Sequence, residues 1–165
     1  MKNTEKHQSA SPTNIMSAFK QANNAISISK NLDEMIAAYD KVISFCSNSA
    51  ECRNERSTKR NTLLYWAYSN IASSYCKKNM PLIAYKYYQK ALSVAISEKQ
   101  KTMALEAMLT EAGKEELKIT DKCKKIIQIS NQLIDIYKKQ DDKQELQRII
   151  NLSEKTLELL KKASS

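Results

Sequence analysis

The sequence predicts an all-α protein of about seven helices, built from antiparallel helical hairpins in a single domain. Two observations carry that prediction. Glycine occurs once, at Gly113, and proline twice, at Pro12 and Pro81, so the chain is poor in the residues that make tight strand-connecting turns and rich in helix formers. Apolar residues also recur three and four positions apart over most of the chain, which is the period of a helix buried on one side. At 165 residues the chain can enclose a core of its own.

Residues 1 to 11 are polar and aperiodic and read as a disordered tail, with the helical domain spanning residues 12 to 162. Ser11-Pro12-Thr13 offers a cap and a proline suited to a first helical turn. Ile15, Phe19, Ala22 and Ile26 then mark one helix, and Met35, Ile36, Tyr39, Val42, Ile43 and Cys46 mark its return. Residues 47 to 61 are strongly polar but lack proline and glycine, so the next helix is expected to extend back to about residue 50. Its apolar set, Leu63, Leu64, Ala67, Tyr68, Ile71, Ala72 and Tyr75, ends at Lys77-Lys78-Asn79, where cations suit a helix C-terminus and asparagine suits a turn. Pro81 fits the first turn of the following helix, which carries Ala84, Tyr88, Ala91, Leu92 and Ala95. Leu105, Met108 and Leu109 continue a helix that Gly113 is expected to stop or bend in the left-handed conformation. Thr120-Asp121 reads as the cap of a sixth helix through Cys123, Ile126, Ile127, Leu133, Ile134 and Tyr137. Gln140-Asp141-Asp142 turns the chain into a last helix through Leu146, Ile149, Ile150, Leu157 and Leu160.

The formal charge is +9, but the excess is spread out: residues 1–48, 49–64, 65–113 and 114–165 carry +1, +2, +3 and +3. That pattern reads as a solvated basic surface rather than a concentrated nucleic-acid patch. Polar residues at the start and the lack of about eighteen consecutive apolar residues predict neither a signal peptide nor a membrane span. A cytoplasmic location is therefore expected, with non-classical export as an effector the alternative. Cys46, Cys52, Cys76 and Cys123 form no C-x-x-C pair and are expected to be reduced thiols, mostly in the core, although a Cys46–Cys52 bridge is sterically conceivable.

No catalytic or cofactor motif stands out. The single histidine, His7, lies in the tail, so a histidine base or a Ser/His/Asp or Cys/His nucleophile has no partner to be built from. One glycine excludes a Gly-rich phosphate loop, the cysteines lack metal-ligand spacing, and the acid pairs Glu115-Glu116 and Asp141-Asp142 fall at polar helix ends. The expectation is a protein without enzymatic activity, metal or cofactor.

Residues Tyr68, Ile71, Ala72, Tyr75, Ala84 and Tyr88 meet the pattern W-x2-L-G-x2-Y followed by A-x3-F, and this segment resembles a tetratricopeptide repeat. A second copy is visible at residues 16 to 46 through Phe19, Ile26, Tyr39 and Val42, and fainter copies at 99 to 125 and 127 to 156. The resemblance implies hairpins stacked as a short right-handed solenoid. Small Ala72, Ala84 and Ala91 would let helices approach closely, and Tyr68, Tyr75 and Tyr88 would fill the wedge between hairpins. Ile96 stands where the pattern has proline, which predicts a continuous or kinked helix there.

After those tyrosines are assigned, Trp66, Tyr65, Tyr85 and Tyr87 remain. Trp66, Ser69, Asn70, Ser73 and Lys77 fall three or four apart beside the core stripe, on the face that lines the concave groove in the family. Lys20, Asn24 and Asn70 match places used by family members that grip the carboxylates of a Glu-Glu-Val-Asp tail. Gln100 and Ala104 stand where the third repeat of those members supplies further cations. The resemblance thus implies a protein-interaction module, an adaptor or chaperone-like protein, holding a partner's peptide or helix in this groove. A small secretion chaperone would have the same features. Two other readings are a nucleic-acid binder using the basic surface and exposed tyrosines, and a protein that self-associates through Trp66.

Overall fold

A computed structural model describes residues 14–28, 31–50, 52, 57–114 and 118–164. The polar tail, His7, the Ser11-Pro12 signal and Glu115-Glu116 lie outside these residues. The described residues form seven helices and no strand: α1 (Ile15–Ile28), α2 (Leu32–Asn48), α3 (Ser57–Lys77), α4 (Pro81–Val94), α5 (Glu98–Lys114), α6 (Ile119–Gln140) and α7 (Lys143–Ser164). Ala50 and Cys52 are helical as well; residues 53–56, through which the expected extension would join α3, lie outside the described residues.

Local chemistry sets the helix ends. Asn14 caps α1: its side chain accepts from the Ser17 N–H at 2.9 Å while the Ser17 hydroxyl accepts from the Asn14 N–H at 3.1 Å. This reciprocal pair holds the first turn of α1. Asn31 accepts from the Asp33 N–H, and Asp33 and Glu34 sit in the first turn of α2, where acids suit the positive end of the helix dipole. Pro81 occupies the first turn of α4 as expected. Thr120 and Asp121 lie inside the first turn of α6; Lys118 precedes the helix and makes no side-chain cap.

Two hairpin turns are alike. Asn79 (φ 54°) and Asp141 (φ 53°) take the left-handed conformation. At the first, Met80 N–H donates to Tyr75 O and Asn79 N–H to Cys76 O; at the second, Asp142 N–H donates to Tyr137 O and Asp141 N–H to Lys138 O. Each is a Schellman closure with a tyrosine at the same position of the last turn. Gly113 does not share this role. It lies within α5 with φ below zero, and a methyl group there would meet nothing within 4 Å. Gly113→Ala is therefore expected to raise stability by up to about 1 kcal/mol, read as a shift of the denaturation midpoint.

The expected continuity at Ile96 is also corrected. α4 ends at Val94, Ala95 turns to extended backbone, and α5 begins at Glu98. Ser97 and Gln100 supply the break that proline would have made: the Gln100 N–H donates to the Ser97 hydroxyl at 3.2 Å, and the Gln100 side-chain oxygen accepts from the Ile96 N–H at 2.9 Å.

Each helix packs on its chain neighbours, and α3 also touches α1 and α5. One core joins α1, α2 and α3 through Ile15, Ala18, Ala22, Ile36, Tyr39, Val42, Ala67 and Ile71. A second joins α4 through α7 around Leu105, Met108, Ile129, Leu133 and Ile149. Tyr65, Ala91 and Ala104 bridge them. Ala72, Ala84 and Ala91 are fully buried, as a close helix approach requires. Lys78, beyond the end of α3, pairs with Asp33 at the start of α2.

Candidate functional site

α3 is the central helix of the chain. It packs against α1, α2, α4 and α5, and Trp66, Ser69, Asn70, Ser73 and Lys77 run along it as a strip at helical spacing. Trp66 is 38% exposed on that strip, edge-on to Tyr65 with ring centroids 5.1 Å apart. Ser69, Asn70 and Ser73 are half-buried and Lys77 is exposed. The Ser69 hydroxyl is buried beside the Tyr65 phenol, where its polar contact offsets part of the rise that burial gives the Tyr65 pKa. Lys20 and Asn24 are exposed one turn apart on α1.

Asn70 is less free than its stripe position suggests. Burial raises the pKa of the Tyr39 phenol, and a polar contact from Asn70 offsets part of that rise. Tyr39 in turn donates to the Asn23 side chain at 2.9 Å, so Asn70, Tyr39 and Asn23 couple α3, α2 and α1.

Two of the tyrosines left over by the sequence are core residues. Tyr65 is 1% exposed and its hydroxyl donates to the Gln100 carbonyl at 3.0 Å; Tyr85 is buried in the second core. Gln100 and Ala104 are buried too, facing away from any groove. Tyr87 stacks on Tyr75 at 5.6 Å and lies 6.4 Å from Tyr68, with the Lys90 ammonium 4.7 Å from the Tyr87 ring centre. Burial, then the nearby Asp40, raises Tyr87; burial also raises Asp40, against the pull of Lys90. Lys90 thus lies over both the Tyr87 and the Tyr68 rings, a cation–π arrangement.

The Tyr65–Gln100 bond lays the Trp66 turn of α3 against the first turn of α5. On α5, Lys99, Thr102, Met103 and Glu106, together with Gln140 at the end of α6, line an open cleft of about 480 Å³. Met103 is 43% exposed. Glu106 is anchored. Its carboxylate accepts from the Tyr137 hydroxyl at 2.8 Å and from Arg148 at 2.6 Å, and Arg148 also reaches Glu145. A smaller cavity of about 220 Å³ lies between α4, α5 and α6, lined by Gln89, Leu92, Met108 and Gln132 among others.

Burial, then Glu106, pushes the Tyr137 pKa up to about 12. Burial also raises Tyr65, Tyr68 and Tyr88. A phenol whose folded pKa exceeds its unfolded value near 10 contributes stability below pH 10 and loses it as pH rises through the folded value. Urea midpoints are therefore expected to fall between pH 10 and 12, and Tyr137→Phe to make that fall shallower.

Cys76 is not an activated thiol: burial raises its pKa, and its sulfur lies 3.9 Å from the Tyr88 hydroxyl. Among the described residues no three His, Cys, Asp or Glu side chains gather as a metal site, and no helix is long and apolar enough to cross a membrane. Compared with known proteins, the chain matches no family model, and no curated protein is similar enough to count as a match.

Proposed function

We propose that the protein is a non-enzymatic interaction module in which the open strip of α3 and the neighbouring face of α5 hold a peptide or helix of a partner protein. The observation that carries this reading is a tryptophan 38% exposed on the central helix; Met103, 43% exposed, and its cleft lie on α5, which α3 also contacts. Aromatic and thioether side chains are the groups that anchor protein interfaces. The contacts of α3 with α1, α2, α4 and α5 are those an inner helix makes in stacked tetratricopeptide hairpins, and they support a short right-handed solenoid with this strip on its concave side. The surrounding polar groups, Ser73, Lys77, Lys99 and Thr102, would orient the occupant.

The test is capture by the immobilised full chain from a cell extract. A protein retained stoichiometrically, with retention persisting as salt rises from low to physiological strength, supports the reading. Retention of nucleic acid with steep salt dependence, or of a second copy of the chain alone, rejects it.

A further inference from the structure

The Cys46 and Cys52 sulfurs stand 2.8 Å apart without a disulfide bond, the Cys52 thiol donating to the Cys46 sulfur. Non-bonded heavy atoms ordinarily touch at about 3.5 Å or more, and a sulfur–sulfur bond is about 2.0 Å long, so less than about 1 Å of approach separates the pair from bonding. The backbone holds them in place. Cys46 sits in the last turn of α2, and the Ser49 N–H donates to the Phe45 carbonyl at 2.9 Å as the chain leaves the helix. The Cys52 N–H then donates to the Ser49 hydroxyl at 3.4 Å, setting Cys52 back against α2. Cys52 is wholly buried in the first core, while Cys46 is half-buried and packs against that core. Among the described residues no third ligand turns the pair into a metal site.

We infer that Cys46 and Cys52 form an oxidation site that takes a low-molecular-weight disulfide such as glutathione disulfide. The more exposed Cys46 attacks first as its thiolate, forming a mixed disulfide and releasing one glutathione thiolate. Cys52 then attacks the Cys46 sulfur and expels the second glutathione, its proton passing to that departing thiolate. Two protein thiols and one glutathione disulfide give one protein disulfide and two glutathione thiols: the protein sulfurs lose two electrons and the glutathione sulfurs gain them. The bond ties the end of α2 to the chain entering α3, beside the wedge where Cys46 and Asp40, after burial, raise the Tyr68 phenol.

The experiment equilibrates the full chain in glutathione buffers of varied oxidised-to-reduced ratio, quenches with acid, denatures, alkylates and weighs the products. The expected result is a species lighter by two hydrogens that has lost two alkylation sites, with a peptide linking Cys46 to Cys52. It should appear at a ratio at least about tenfold more reducing than any reaction of Cys76 or Cys123. Cys46→Ser should abolish it, and so should Cys52→Ala, with helical circular dichroism confirming that each variant folds. Four alkylated thiols at every ratio, a persistent glutathione adduct on Cys46, or a bond to Cys76 or Cys123 would overturn the inference from the wild-type data alone.

Discussion

Replacing Ala84 or Ala72 with leucine is expected to destabilise the protein by about 1 to 3 kcal/mol each, seen as a lower midpoint in thermal or urea unfolding. Both side chains are fully buried, Ala72 on α3 and Ala84 on α4, within the hairpin closed by the Schellman turn at Asn79. A leucine at either site adds three carbon atoms where the surroundings have no room, so the helices must separate or neighbouring side chains must leave their rotamers. Asn79 and Met80 lock the turn, so the strain cannot be relieved by sliding one helix along the other. An unchanged midpoint would mean that α3 and α4 do not approach at these alanines.

The second large effect concerns binding. Trp66→Ala together with Asn70→Ala should weaken partner binding by about 2 kcal/mol or more, roughly thirtyfold, with most of the loss from Trp66. Trp66 is 38% exposed and meets Tyr65 edge-on, so its truncation also removes some packing. Asn70 is different, because its contact with Tyr39 links α2 and α3. The single variants therefore need both readouts: Trp66→Ala should lose binding while keeping its helical circular dichroism, whereas Asn70→Ala should lose about 1 kcal/mol of stability. A titration in which Trp66→Ala binds like the wild type removes the tryptophan from the interface.

The helices, their number and most turns were legible because they rest on local signals. Asn79, Pro81 and the Gln140-Asp141-Asp142 turn lie where the sequence placed them, and Ala72, Ala84 and Ala91 are buried as the spacing required. The errors have physical causes. α3 is packed by four neighbours, so the contrast between a core stripe and an outer stripe blurs, and Tyr65 could not be told from Trp66 next to it. Tyr85 meets the second core, formed by helices distant in sequence, which no local period reveals. The break at Ala95–Ser97 is written in Ser97 and Gln100, a serine followed three residues later by glutamine, which caps α5 without the proline of the repeat pattern. Gly113 was read as a helix stop, although a glycine in a helix needs no left-handed turn. Within the site, Trp66 was legible as an exposed aromatic; the α5 side of the cleft was not, because it becomes part of the site only once Tyr65 pins α5 to α3.

The most direct test of the binding face is photo-crosslinking with benzoyl-phenylalanine placed at position 66, and separately at the exposed Lys86 position on α4, in the full chain exposed to cell extract. The account predicts a discrete crosslinked partner protein from position 66 and none from position 86. Crosslinks that form from position 86 and not from 66, or that join position 66 only to nucleic acid or to a second copy of the chain, would contradict it.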